Sequence, residues 1–165
     1  MDEAVRYDTD GFKDVTRALL SLVQEYPALD GDEITFAEVD ANSGISFIPS
    51  AGAAIIREVA DVTGHVSQDC VYPFNVLYKA SGLSESRKIN TKEFLDDLGR
   101  WLGRQPIEID EEFYQLTEYP TLPQNRELKN IQVTTPSFLS EVTESNVETW
   151  LITMQATYKN EFDRQ

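Results

Sequence analysis

The sequence predicts an α+β fold: an antiparallel or mixed β-sheet with two helices packed on one face, a long loop or arm, and a C-terminal hairpin. Three observations carry this. Residues 66–79 alternate strictly between two faces, residues 147–158 do the same, and two other stretches place apolar residues at helical spacing. Runs of strands with few crossover helices are the pattern of helices set on one side of a largely antiparallel sheet.

Taken in order, the first periodic stretch is 9–26. Phe12, Val15, Leu19, Leu22, Val23 and Tyr26 form one stripe, with Asp14, Thr16, Arg17, Ser21 and Gln24 between them, and Pro27 ends the helix. Short strands follow. Ile34, Phe36 and Glu38 alternate with Thr35, Ala37 and Val39, Asn42-Ser43-Gly44 is a turn, and 45–48 is an apolar strand. Residues 49–52 break the chain again, and 54–62 carries Ile55, Ile56, Val59 and Val62 before Gly64 closes it.

The strongest strand signal puts Val66, Gln68, Cys70, Tyr72, Phe74, Val76 and Tyr78 on one face and Ser67, Asp69, Val71, Pro73, Asn75, Leu77 and Lys79 on the other. Pro73 has no N–H to donate, so the expectation is an edge strand or a bulge near its middle. The second helix follows Gly82. Ser84 is one possible cap. Asn90 is the other, with Glu93 three residues on and an Ile89/Phe94 staple. Phe94, Leu95, Leu98, Trp101 and Leu102 form its stripe, and Gly103 and Pro106 stop it.

Residues 107–126 break the composition. Glu108, Asp110, Glu111, Glu112 and Glu118 are acidic and Pro120 and Pro123 are stiff, which predicts an extended surface loop or arm. Two strands then read as a long hairpin, 128–135 and 147–158, joined by a turn region over 136–146.

The whole chain has the length of one domain. Of its 165 residues, 29 are acidic and 14 basic, a formal net charge of −15. That balance argues against gripping nucleic acid or an anionic membrane, since both are negative. A single cysteine excludes an internal disulfide and a thiolate metal cluster. No apolar run approaches the ~18 residues of a membrane span. The opening residues lack the basic and apolar regions of a signal peptide, so the expectation is a soluble protein of a reducing cytoplasm.

Chemistry is sparse. His65 and Cys70, the only residues of their kinds, stand an odd number of positions apart, so on one strand they point to opposite faces and form no nucleophile–base pair. There is no nucleophile elbow, phosphate loop or dinucleotide fingerprint. The acidic runs Asp30-Gly31-Asp32-Glu33 and Asp110-Glu111-Glu112 lack calcium-loop spacing and read as solvated loops. Trp101 and Trp150 read as core. Asp96 and Asp97, with Arg100 and Arg104, are placed to face solvent, with Asp96–Arg100 spaced as an i,i+4 pair. They either support the helix or form a charged rim for a neighbouring subunit. The expectation is a non-enzyme with no catalytic residue, cofactor or metal.

Four strings carry a resemblance: Gly52-Ala53-Ala54-Ile55-Ile56-Arg57-Glu58, Asp61-Val62-Thr63-Gly64-His65-Val66, Tyr72-Pro73-Phe74-Asn75-Val76-Leu77-Tyr78, and Glu93-Phe94-Leu95-Asp96-Asp97-Leu98-Gly99-Arg100-Trp101-Leu102. With the ending Tyr158-Lys159-Asn160-Glu161-Phe162-Asp163-Arg164, they resemble the minor capsid or tail-completion proteins of tailed phages of Gram-positive hosts. The element order is similar to tail terminator proteins. The resemblance implies a virion protein assembled in the bacterial cytoplasm. It would be a homo-oligomer, a hexameric ring that caps the tail tube and meets the head-completion or neck protein, with DNA passing through its lumen unbound. An acidic bore suits that passage, because scarce positive charge gives phosphates little to adhere to. Within this reading the low count of basic groups singles out Arg57, Arg100 and Arg104, with Asp96 and Asp97, as subunit-interface residues. The alternatives are another head–tail connector, an acidic DNA mimic that blocks a nucleic-acid enzyme, and an enzyme acting through carboxylates.

Overall fold

A computed structural model describes residues 4–37, 43–82 and 84–164. The expected alternation at Glu38 and Val39, and Asn42 of the expected turn, lie outside them.

Helix α1 (Thr9–Gln24) is capped by Asp8, whose carboxylate accepts from the Gly11 amide. It buries Val15, Thr16, Leu19, Leu22 and Val23, and a single 3-10 turn at Pro27–Leu29 follows. Helix α2 (Glu85–Leu102) begins at Ser84, whose hydroxyl accepts from the Arg87 amide. Of the two possible starts, the earlier is the one used. Asn90 lies inside the helix, and Ile89 is exposed and staples nothing. α2 buries Thr91, Leu95, Leu98, Gly99, Trp101 and Leu102. Gly99 is required by close approach: a Cβ there would stand 2.5 Å from Val133 Cγ2 and 3.1 Å from Ile152 Cδ1.

The strands are β1 (Arg6–Tyr7), β2 (Ile34–Phe36), β3 (Gly44–Pro49), β4 (Ala54–Ala60), β5 (His65–Ser81), β6 (Ile107–Ile109), β7 (Glu112–Tyr114), β8 (Arg126–Val142) and β9 (Val147–Asp163). All but β6 and β7 form one sheet. β5 and β9 pair antiparallel along their whole length, from His65↔Asp163 to Ser81↔Val147. β8 lies outside β9. On its other flank β5 pairs with β4 over residues 66–71 and then with β3 over 74–79. β1 extends β4 antiparallel, and β2 lies parallel to β3, the one parallel pairing described. The fold is α+β with a mostly antiparallel sheet.

The alternation in β5 sorts as its sequence implies. Val66, Gln68, Cys70, Tyr72, Phe74 and Val76 are buried on the inner face, and their odd-numbered neighbours face outward. In β9, Trp150, Ile152, Met154, Ala156 and Tyr158 join them. Thr16 Oγ1 and Tyr72 Oη lie 2.6 Å apart and Phe12 stacks on Tyr72 at 5.3 Å, which anchors α1 to this face.

Three local expectations change. Pro73 is neither on an edge nor in a bulge. It sits mid-way along the central strand, where β4 hands over to β3, and its carbonyl accepts from the Ser50 amide at 3.0 Å. A residue without an N–H is tolerated there because the facing ladder has a gap. The expected turn over 136–146 is mostly strand. β8 runs on to Val142 with register shifts after Leu128, Val133, Thr135 and Leu139, and the hairpin turn is confined to 143–146. Bulges broke the alternation that marks a strand. Finally, 107–126 holds the β6–β7 hairpin and is held onto the core. Ile107 and Leu122 are buried, and Ile109, Tyr114, Leu116 and Tyr119 pack against the core. The Tyr119 hydroxyl donates to Leu102 O at 2.7 Å and accepts from the Ile131 amide at 3.2 Å.

Candidate functional site

The five sequence-selected interface residues do not form one cluster. Asp96 does not pair with Arg100. Its carboxylate accepts from Lys92 Nζ at 2.7 Å and from Ser137 Oγ and N at 2.7 and 3.0 Å. It clamps the bulged stretch of β8 onto α2. Burial raises its pKa, and the Lys92 and Ser137 contacts outweigh that, leaving it below the usual carboxylate range. Asp97 accepts from Arg100 Nη1 at 2.7 Å on the outer side of α2. Arg104 is exposed beyond the end of α2, its guanidinium 5.3 Å from the centre of the Tyr119 ring. Arg57 stands on β4 opposite Asp69, on the side of the sheet away from the helices, and makes no hydrogen bond or ion pair among the described residues.

The most elaborate polar cluster escaped sequence reasoning. Arg126 clasps Asp8 in a bidentate pair, Nε to Oδ2 at 2.9 Å and Nη2 to Oδ1 at 2.7 Å. Tyr158 Oη donates to Asp8 Oδ2 at 2.7 Å, and Arg126 Nη1 donates to Gln124 Oε1 at 2.9 Å. Asp8, Arg126 and Tyr158 are all buried. A Cβ on Gly11 would overlap both Asp8 and Arg126, so that glycine makes room for the pair. Burial alone would raise the Asp8 pKa, but the Arg126 and Tyr158 hydrogen bonds, the Arg126 charge and the Gly11 amide together hold it below normal. Burial pushes the neighbouring Cys70 thiol up to about 11, so it stays protonated. This cluster ties the start of α1 to β8 and β9. It has the geometry of a structural lock, with every group already paired. A capping Asp was the only local signal it left in the sequence.

Beside it, a polar row crosses the sheet. Asn160 Nδ2 donates to Gln68 Oε1, Gln68 Nε2 donates to Glu58 Oε1, and Glu58 also meets Arg6 and Arg164. At the tip of this end, His65 Nδ1 lies 2.9 Å from Asp163 Oδ1, with Glu161 at 3.9 Å. The Asp163 hydrogen bond, with the charges of Asp163, Glu161 and Asp61, outweighs desolvation and raises the histidine pKa. Cys70 is buried on the other face, so the two residues stay apart. Among the described residues no group of three or more His, Cys, Asp or Glu side chains is placed to hold a metal ion. No described helix is long and apolar enough to cross a membrane.

Large apolar side chains are exposed in several places, among them Phe36 on β2, Ile89 on α2 and Phe113 on β7, and several stand near two diagonal corners of the sheet. At one corner β8 exposes Leu139 and Val142 on the face of Trp150 and Glu148, and Phe138 on the opposite face. At the other, Val5, Tyr7 of β1 and Ile56 and Val59 of β4 are exposed, and the loop beyond adds Val62. Exposed apolar patches mark interaction surfaces. No protein-family model matches this chain, and no curated protein matches its sequence.

Proposed function

We propose that the protein is a structural subunit that assembles with copies of itself. Within that class, we read it as a tail terminator of a tailed-phage virion: a ring that caps the tail tube and joins it to the head or neck, without catalysis. The observation that carries the reading is the pair of dissimilar apolar corners at opposite ends of the sheet. Two different surfaces on one subunit can each meet the other kind on a neighbouring copy. Used head to tail, such contacts close into rings when the rotation permits. The sequence strings that resemble tail-completion proteins point the same way, and the net charge of −15 suits a lumen that DNA traverses without adhering.

The test is negative-stain microscopy of the purified protein mixed with tail tubes of its phage. Six-fold rings, or tubes of uniform length with a capped end, support the reading. A protein that ignores the tubes, or turns over a small molecule, overturns it. The acidic surface also fits a DNA mimic. Salt-sensitive binding to a basic DNA-processing enzyme, without ring formation, would favour that instead.

A further inference from the structure

Glu148, near the start of β9, is 5% exposed, yet its Oε1 has no hydrogen-bond partner among the described residues. Among the described residues its ion-pair partner is Lys88, whose Nζ is 3.7 Å away, too far to donate, and which is itself half exposed. The carboxylate lines a cavity of about 220 Å³ together with Gly82, Lys88, Val142 and Asn146. A buried carboxylate oxygen with no donor is costly, and burial of this kind is normally relieved by a cation with N–H groups to give. Of the residues that line the cavity, Val142 is an exposed apolar side chain and forms part of its rim.

The chain carries a matching surface that it cannot bring to this place itself. Arg57 is exposed and unpaired among the described residues. It lines a groove of about 530 Å³ with Val5, Arg6 and Ile56, on the apolar corner formed by β1 and β4. Through the register, Arg57 lies level with Asp69 and Lys159, eleven positions along β9 from Glu148. At about 3.3 Å per residue that is roughly 36 Å, far beyond the reach of one side chain. We propose that the Glu148 cavity receives the Arg57 guanidinium of a second copy of the chain, with the apolar rims of the two corners closing around the pair. This rests on the assembly reading above and names its contact.

The experiment compares wild type, Arg57→Glu and Glu148→Gln by mass photometry over a concentration series, with circular dichroism to confirm folding. The wild type is expected to self-associate, and each folded variant to weaken association about tenfold or more. Mixing the two variants is expected to restore pairs but nothing larger. The Arg57→Glu chain keeps its Glu148 and the Glu148→Gln chain keeps its Arg57, so each mixed pair has one intact contact. Unchanged association in either folded variant, a mixture no better than its components, or a wild type that stays monomeric throughout would overturn the contact. Tube capping reads separately. Variants that still cap tubes remove this contact and leave the terminator reading standing, whereas a wild type that never caps removes the terminator reading whatever residues 57 and 148 do.

Discussion

Arg126–Asp8 and Arg100–Asp97 are made from the same two residue types and share a shortest contact of 2.7 Å. They differ in their surroundings. The first is sealed between α1 and the β8–β9 hairpin with its side chains 5% and 6% exposed, and its hydrogen bonds are completed by Tyr158, Gly11 and Gln124. The second rides on the outer side of α2, where its arginine side chain is 60% exposed. Water and salt screen an exposed pair until it contributes ~0.2–1 kcal/mol. A buried pair reacts differently to damage, because removing one partner strands the other charge out of water. Distance alone therefore does not rank these contacts; desolvation does.

The largest effect should come from breaking the buried pair on one side only. Arg126→Met is expected to cost about 3–5 kcal/mol in urea unfolding, and Asp8→Asn in the same chain should recover part of the loss. If Arg126→Met costs no more than a surface substitution, the lock is decorative. Next is Asp96→Ala, which leaves the Ser137 amide and Lys92 without their acceptor and frees the β8 bulge from α2. About 1–3 kcal/mol is expected, with faster amide exchange confined to β8 near Ser137. Arg100→Ala should change stability by less than about 0.5 kcal/mol and lose even that in high salt.

Acid sharpens the contrast. The folded pKa of Asp8 lies below its unfolded value, so its contribution is complete above the unfolded value of about 3.9 and is lost as pH falls through the lower folded one. Asp8→Asn should remove that part of the acid sensitivity, measured as the drop in urea midpoint from neutral pH to below 4. His65 has the opposite sign. Its folded pKa is raised, so any stabilisation is present below the unfolded value and fades as pH rises through the folded one. It is exposed, so the expected readout is an NMR titration: a midpoint above 6.5 in the wild type that moves down in Asp163→Asn.

Much of the fold was legible in the sequence because period-two and helical stripes are local consequences of burial on one face. The runs in β5, β9, α1 and α2 retain that pattern without interruption. β8 does not. Its irregularities between Leu128 and Glu141 shift apolar residues off alternation, so half the strand reads as a turn. Residues 107–126 mislead for another reason. Their acids dominate the composition, while Ile107, Tyr119 and Leu122 do the packing at irregular spacing. Of the candidate interface residues, Arg57 is an exposed group on a corner, and Asp96 is a clamp within the subunit.

By itself the sequence determined the α+β class, the two helical stripes, the inward face of the central strands and the excess of negative charge, since each of these follows from residue order or counting. Tertiary structure alone decided which acids are buried. Asp8 meets Arg126 across 118 positions, and Glu148 is enclosed by α2 and the β8–β9 turn. The worth of a charge depends on the dielectric and donors around it, and the folded chain brings those together from distant segments that leave no mark on local order.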